Sequence, residues 1–280
     1  MNCKKSIALV IPLLLMGMSV QVARADDPGH VTASVGADYS AGKYGTPFET
    51  DIWDVPLSVG YQADRWSVKL TVPFISISGA NNVIPGIGRV LNLNPHARGH
   101  GLGLGVGVGG TGAPTVTSGS ASGLGDVVAQ ASYGLVRDDA ANFGLDVTGK
   151  IKFGTADENK GLGTGKNDYG LGLGGYKGFG AWTLFADAGY TKYGSSTYIP
   201  LHGGWNGDLG AGYKLDGANT IGAYYYYREK ISDSGYQLSE GTAYWDHKFG
   251  DSLRLQAYAL AGFSNGSPDW GAGANVRYSF

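Results

Sequence analysis

The sequence predicts an all-β, transmembrane antiparallel up-and-down barrel, made as a precursor with a cleaved leader. Three observations carry that expectation: an export leader at the N-terminus, apolar–polar alternation in segments about ten residues long, and aromatic rings at the ends of the apolar faces.

The leader comes first. Met1-Asn2-Cys3-Lys4-Lys5 is followed by an apolar run at 7–18, interrupted by Pro12, and then by Ala23-Arg24-Ala25. A basic start, a short apolar stretch and a small-x-small site make a secretory signal peptide. The run is too short to cross a bilayer as a helix, which takes roughly 20 apolar residues. Residues 1–25 are therefore expected to be removed, leaving 26–280 as the barrel. Cys3, the only cysteine, precedes the apolar run, whereas a lipoprotein signal places its cysteine after it. The mature chain then has no disulfide and no thiolate metal site. Loss of Lys4, Lys5 and Arg24 makes a chain of formal charge −2 more acidic still, which does not favour nucleic acid as a partner. Glycine is abundant (49 of 280), but so is tyrosine (18), and disordered glycine-rich chains lack ordered aromatics.

Transmembrane barrel strands run ~9–11 residues with apolar side chains outward and polar ones inward. Six segments alternate cleanly: 31–39, 66–74, 143–153, 182–190, 253–263 and 270–280. In the third, Phe143, Leu145, Val147, Ile151 and Phe153 share one face, and Asp146, Lys150 and Lys152 the other. No apolar face carries a charge; Asp38, Lys69, Asp187, Arg254 and Arg277 all fall on the opposite faces. A basic side chain on the lipid face at mid-bilayer costs about 2–4 kcal/mol, which is reason enough for the sorting. The rings decide between a membrane barrel and a soluble sheet. Tyr39, Trp66, Phe74, Phe143, Phe153, Trp182, Tyr190, Phe263, Trp270 and Tyr278 sit at the ends of the apolar faces, where headgroups would be, rather than at their centres.

Weaker alternation adds 55–62, 124–135, 168–177, 204–215, 219–229 and 236–248, for twelve strands, an even number. Short connections at 63–65, 137–141, 178–180, 216–218 and 250–251 then fall on one side. The longer ones, at 40–54, 77–123, 154–167, 191–203, 230–235 and 264–269, fall on the other. Short periplasmic turns and long outer loops are the rule in such barrels. The loop 77–123 contains a Gly-x repeat at 99–110. It reads as a free surface loop, as a segment folded into the barrel mouth, or as an extra hairpin that would bring the count to fourteen. Nucleotide binding is excluded, because no strand–loop–helix context surrounds the repeat.

Three stretches carry a resemblance. They are Val72-Pro73-Phe74-Ile75-Ser76 with Val83-Ile84-Pro85-Gly86-Ile87-Gly88-Arg89-Val90; Ser122-Gly123-Leu124-Gly125-Asp126-Val127; and Lys152-Phe153-Gly154-Thr155-Ala156-Asp157 leading to Lys160-Gly161-Leu162-Gly163-Thr164-Gly165-Lys166-Asn167-Asp168-Tyr169. Together they resemble the outer-membrane β-barrel family named for the meta-pathway of phenol degradation, whose members are called transporters. The Lys-Gly-Leu-Gly-Thr-Gly stretch is the most specific part. The segment at 153–157 departs from the family by lacking a proline before it. The resemblance implies passage of small, aromatic solutes through the outer membrane of a Gram-negative bacterium.

Functional candidates are the inward residues Lys69, Asp146, Lys150, Asp187, Asp208, Tyr224, Tyr226, Arg228, Glu240, Arg254, Tyr258 and Arg277. Lys69, Lys214, Arg254 and Arg277 are expected near the periplasmic end. Asp146, Asp187, Asp208 and Glu240 are expected nearer the middle or outside. Opposed charges across a narrow lumen bias ion choice; equally, they brace a closed wall as salt bridges. The tyrosines form a slide for aromatic solutes or fill space. Val276, Tyr278 and Phe280 read as the terminal signal to the barrel-assembly machinery, with outer-membrane lipid around the wall. A passive channel for small solutes is the leading expectation, a non-conducting structural or adhesive barrel the alternative. An enzyme is not expected: His202 with Asp208 is the one pair worth testing for hydrolysis. No cofactor is implied, and the five histidines are too scattered for a metal site.

Overall fold

A computed structural model describes residues 29–94, 96–98 and 116–280. The leader and the Gly-x repeat at 99–110 fall outside them. Fifteen strands follow in order: β1 (His30–Gly42), β2 (Thr50–Ala63), β3 (Trp66–Ala80), β4 (Val83–Ile84), β5 (Gly88–Arg89), β6 (Ser118–Leu124), β7 (Val127–Asp138), β8 (Phe143–Phe153), β9 (Asp168–Phe179), β10 (Trp182–Lys192), β11 (Gly204–Lys214), β12 (Asn219–Arg228), β13 (Leu238–Phe249), β14 (Leu253–Gly262) and β15 (Trp270–Ser279).

Thirteen of these form one antiparallel sheet, and the β1–β15 ladder, from Thr32↔Ser279 to Ala41↔Trp270, closes it. β6 and β7 share one place beside β3: β6 covers residues 74–80 and β7 covers 66–71. The wall is thus a closed twelve-strand barrel with one strand in two pieces. Each of the twelve expected segments corresponds to a place in it. The fourteen-strand alternative does not form among the described residues, because the hairpin β4–β5 makes its own small sheet. β2 and β3 run past their expected limits, to Thr50 and Ala80. Among the added residues that face outward, Asp51, Ser76 and Ser78 are polar, so the lipid-facing signal fades there although the ladder continues.

Two prolines explain the split strand. Pro56 and Pro73 face each other across the β2–β3 ladder. Proline has no N–H to give, so both occupy a position whose backbone groups point away, Pro56 toward β1 and Pro73 toward β6–β7. The β1–β2 register omits Gly36 and Ala37 opposite this point. On the other flank, β6 stops at Leu124 and β7 resumes at Val127, with only Gly125 N–H donating to the Pro73 carbonyl (2.9 Å). Gly125 also leaves room for the Pro73 and Ile75 side chains, which a Cβ would strike.

The outer face is apolar and exposed, as with Leu209, Leu171 and Val59. In a bilayer this face meets acyl chains. Rings border it at both ends. Trp66–Tyr133 and Trp182–Tyr213 lie near the short turns, with centroids 4.6 and 4.8 Å apart. Tyr39–Trp53, Tyr39–Trp270 and Tyr190–Trp205 lie near the long loops, at 5.0, 5.2 and 5.4 Å. Both ends of the described chain lie at the short-turn end, where Phe280 N–H donates to the Val31 carbonyl (2.9 Å). Asp64 and Gly180, with φ of 40° and 62°, open the two-residue turns β2–β3 and β9–β10.

Candidate functional site: the barrel lumen

One side of the lumen is filled by rings. Tyr176, Phe185, Tyr224, Tyr226, Tyr244 and Tyr258, with Leu238, form a buried cluster on β9, β10 and β12–β14. The wall accommodates them by glycine. A Cβ on Gly210 would strike Phe185, one on Gly222 would strike Tyr244, and one on Gly273 would strike Tyr258. Tyr258 O–H donates to Asp38 Oδ1 across the β1–β15–β14 seam (2.5 Å). Tyr224, Tyr226 and Tyr258 therefore face inward and occupy space on that side.

The mouth is narrowed by the chain itself. The described part of the long connection after β3, residues 81–94 and 96–98, folds inward rather than standing free. Ile84, Ile87 and Val90 pack against Tyr193, Ile199, Leu201 and Ile231 from two other loops. Two arginines hold this strap. Arg228, at the end of β12, donates to the carbonyls of Gly86 (3.1 Å) and Ile87 (2.7 Å). Arg98 donates to the carbonyls of Val83 (2.6 Å), Gly161 (3.0 Å) and Ala80. Burial lowers the Arg98 guanidinium to about 10, which leaves it cationic at neutral pH. Arg228 is thus placed as a brace of the strap, with its guanidinium 5.8 Å from the Tyr193 ring centre.

Two of the three family-like stretches meet at one ion cluster. Lys152 Nζ lies 2.6 Å from Asp126 and 3.1 Å from Asp168, and donates to Thr164 Oγ1 (3.2 Å). The second oxygen of Asp126 accepts from Ala156 N–H (2.9 Å). Asp126 comes from the second stretch and Lys152, Ala156, Thr164 and Asp168 from the third, while Ile75 of the first packs with Ala156 and Leu162 beside them.

The remaining candidates divide by height. Asp146 is a correction: it lies three residues from the start of β8, near the short turns, not toward the middle or outside. There Arg137 Nη1 donates to it (3.1 Å). Arg254 sits 3.6 Å from Asp246, with Lys248 and Arg277 as its neighbours in the same row. Lys214 closes β11 at the same end. Asp187 and Asp208 are register partners at mid-wall, each with a buried oxygen lacking a hydrogen-bond partner. Glu240 lies near the long-loop end, also with one oxygen unpartnered. Lys69 and Lys150 share a row with Gln130, since Lys69 pairs with Gln130 and Gln130 with Lys150. Gln130 was not legible as a candidate, because its alignment depends on registers across three strands.

Open space remains beneath the strap. A cavity of about 210 Å³ is lined by Asp38, Asp54, Lys69, Gln130, Lys150 and the strap residues Pro85–Ile87, among others. A cavity of about 60 Å³ above it shares Asp38, Asp54, Pro85 and Gly86. One of about 40 Å³ beside it shares Gln130 and Lys150. The three therefore adjoin one another inside the wall.

A closed barrel with a narrowed, partly open lumen invites comparison with known proteins. Residues 44–280 match the model of the family described as "Putative MetA-pathway of phenol degradation". The chain belongs to that family. Among solved structures it is similar to the COG4313 outer membrane channel from Pseudomonas putida F1. That match has a TM-score of 0.65 at 15% identity and covers 93% of this chain and 100% of that one. The fold is also similar to that of the NanC porin, with a TM-score of 0.50 at 10% identity, covering 89% and 98% of the two chains. No curated protein sequence matches the chain. At these identities the likeness is one of fold.

The pair considered for hydrolysis is not brought together by a hydrogen bond. His202 Nδ1 bonds the Gly203 carbonyl (2.8 Å) in an outer loop, whereas Asp208 lies mid-strand beside Asp187. Among the described residues no group of three or more histidine, aspartate or glutamate side chains could hold a metal ion.

Proposed function

We propose that this family member is a passive channel for small solutes in the outer membrane of a Gram-negative bacterium. The observation that carries this reading is the set of adjoining cavities beneath the strap, bordered by charged side chains, in a wall whose outer face is apolar. A barrel serving only as a scaffold gains nothing from unfilled polar space. Aromatic compounds are the favoured solute class, supported by the family's description and by the ring-lined half of the lumen. In the same reading, Val276, Tyr278 and Phe280 present the alternating apolar terminus that the assembly machinery engages.

The inward strap and the ring cluster favour a second reading, a closed structural barrel. Single-channel recording of the refolded mature protein in a planar bilayer separates the two. Discrete conductance steps, partly blocked by an added aromatic solute, are the expected result. Silence from protein shown to be folded would overturn the channel and leave the structural barrel.

A further inference from the structure

We infer that the lumen holds a binding site for a small organic carboxylate, anchored on Lys69, Gln130 and Lys150. The inference rests on the channel reading but adds a ligand class to it. The three side chains project inward from adjacent strands β3, β7 and β8 as successive register partners. Neighbouring Cβ atoms in such a row are about 5 Å apart, so the row offers two ammonium groups flanking an amide. None of the three has a hydrogen bond or ion pair to a described residue, although Gln130 is only 8% exposed. The neighbouring Lys152 is different, being paired with both Asp126 and Asp168. Cations withdrawn from bulk water without a counter-ion are costly to the fold. A carboxylate supplies the missing charge and accepts from the Gln130 amide.

The rest of the cavity sets the body of the ligand. Pro56, Pro73, Ile75, Ile87 and Leu162 give it apolar walls, and its volume is about 210 Å³. An apolar cavity of ~150 Å³ already takes benzene, so a ring with one carboxylate fits. Of the other carboxylates of the cavity, Asp126 and Asp168 are held by Lys152, and Asp38 and Asp54 stand six residues further along the β2–β3 ladder than the Lys69 row. That is roughly 20 Å along the strands. A single-ring carboxylate anchored on the Lys69 row falls short of that span, so the row defines an anion end rather than half of a zwitterion site.

The test is calorimetric titration of the folded barrel in detergent with four probes: benzoate, phenol, benzylamine and acetate. Benzoate should bind saturably, and each of the others at least about tenfold more weakly, since one charge-assisted contact is worth that factor. Lys69→Met with Lys150→Met should abolish benzoate binding, and Lys150→Arg should retain most of it. The double variant should also unfold at a higher temperature than the parent, because it removes unpaired cations. A purely structural pair of lysines would give a lower one. Equal binding of phenol or acetate, or unchanged benzoate binding in the double variant, would overturn the inference. Binding is read without conductance, so benzoate bound by a silent barrel would sink the channel and leave the site.

Discussion

Arg228 Nη2 donates to the Ile87 carbonyl at 2.7 Å, tying the end of a wall strand to a segment 141 residues earlier. With its second bond to Gly86 and the apolar contacts of Ile84 and Val90, this side chain fixes how far the strap enters the mouth. Arg228→Ala should release it. Hydrogen bonds from a charged donor contribute about 1.5–3 kcal/mol each, so the strap-out population should rise roughly tenfold or more. In a bilayer the variant should show larger and noisier conductance steps than the parent. Identical steps would mean that the strap does not limit passage.

Lys152 serves two carboxylates at once, and its loss strands both. Asp126 and Asp168 would remain shielded without their ion-pair partner. Breaking a buried ion pair by removing one partner costs about 3–5 kcal/mol. Lys152→Met should lower the urea midpoint, followed by tryptophan fluorescence, while Lys160→Met, in an exposed pair, should change it little. Similar shifts in both variants would show that the cluster is not a stabilising element.

Gly222 is a space-making residue. A Cβ there would meet the Tyr244 ring and the Ala211 carbonyl, 2.6 Å away on the neighbouring strand. Gly222→Ala should cost about 1–3 kcal/mol through overpacking and push Tyr244 toward the open side of the lumen. Reduced conductance together with reduced stability is the expected pair of results. Gly217→Ala, where a Cβ has open space, is the matched control.

On the inner wall at the short-turn end, Lys214, Lys248, Arg254 and Arg277 gather around Asp246. Charge reversal at Arg254 or Arg277 should move the reversal potential in a salt gradient toward cation preference. Arg254→Glu should do so more strongly, because it also places a second carboxylate beside Asp246, now 3.6 Å from Arg254. Unchanged potentials in both variants would show that these charges brace the wall and do not face the permeating ion.

Much of this architecture was legible in the sequence because a lipid-facing surface enforces a strict period of two. Segments such as 143–153 and 270–280 could be read as strands, faces and ends together. What escaped was set by contacts outside that period. The polar extensions of β2 and β3 stand where the lipid no longer sorts side chains. The strap carries only Ile84, Ile87 and Val90 among glycine, proline and asparagine, too few apolar residues for a periodic signal, so its inward course was one alternative among three. Asp146 was placed too high, although counting from its turn would have corrected it. The row Lys69–Gln130–Lys150 depends on pairing between strands, which no single segment reveals.

Pro56 and Pro73 give the cylinder an uneven stiffness. The β2–β3 hairpin is continuously laddered within itself, from Asp51↔Ser78 to Ala63↔Trp66, yet both of its flanks lose bonds at the same level. It is set into the wall like a panel on looser stitching. Thermal breathing of the barrel should concentrate along those two flanks, where amide protons exchange soonest. The Lys69 row is attached to this panel, so any flexing of the hairpin changes the bore of the cavity without unthreading the closure between β1 and β15.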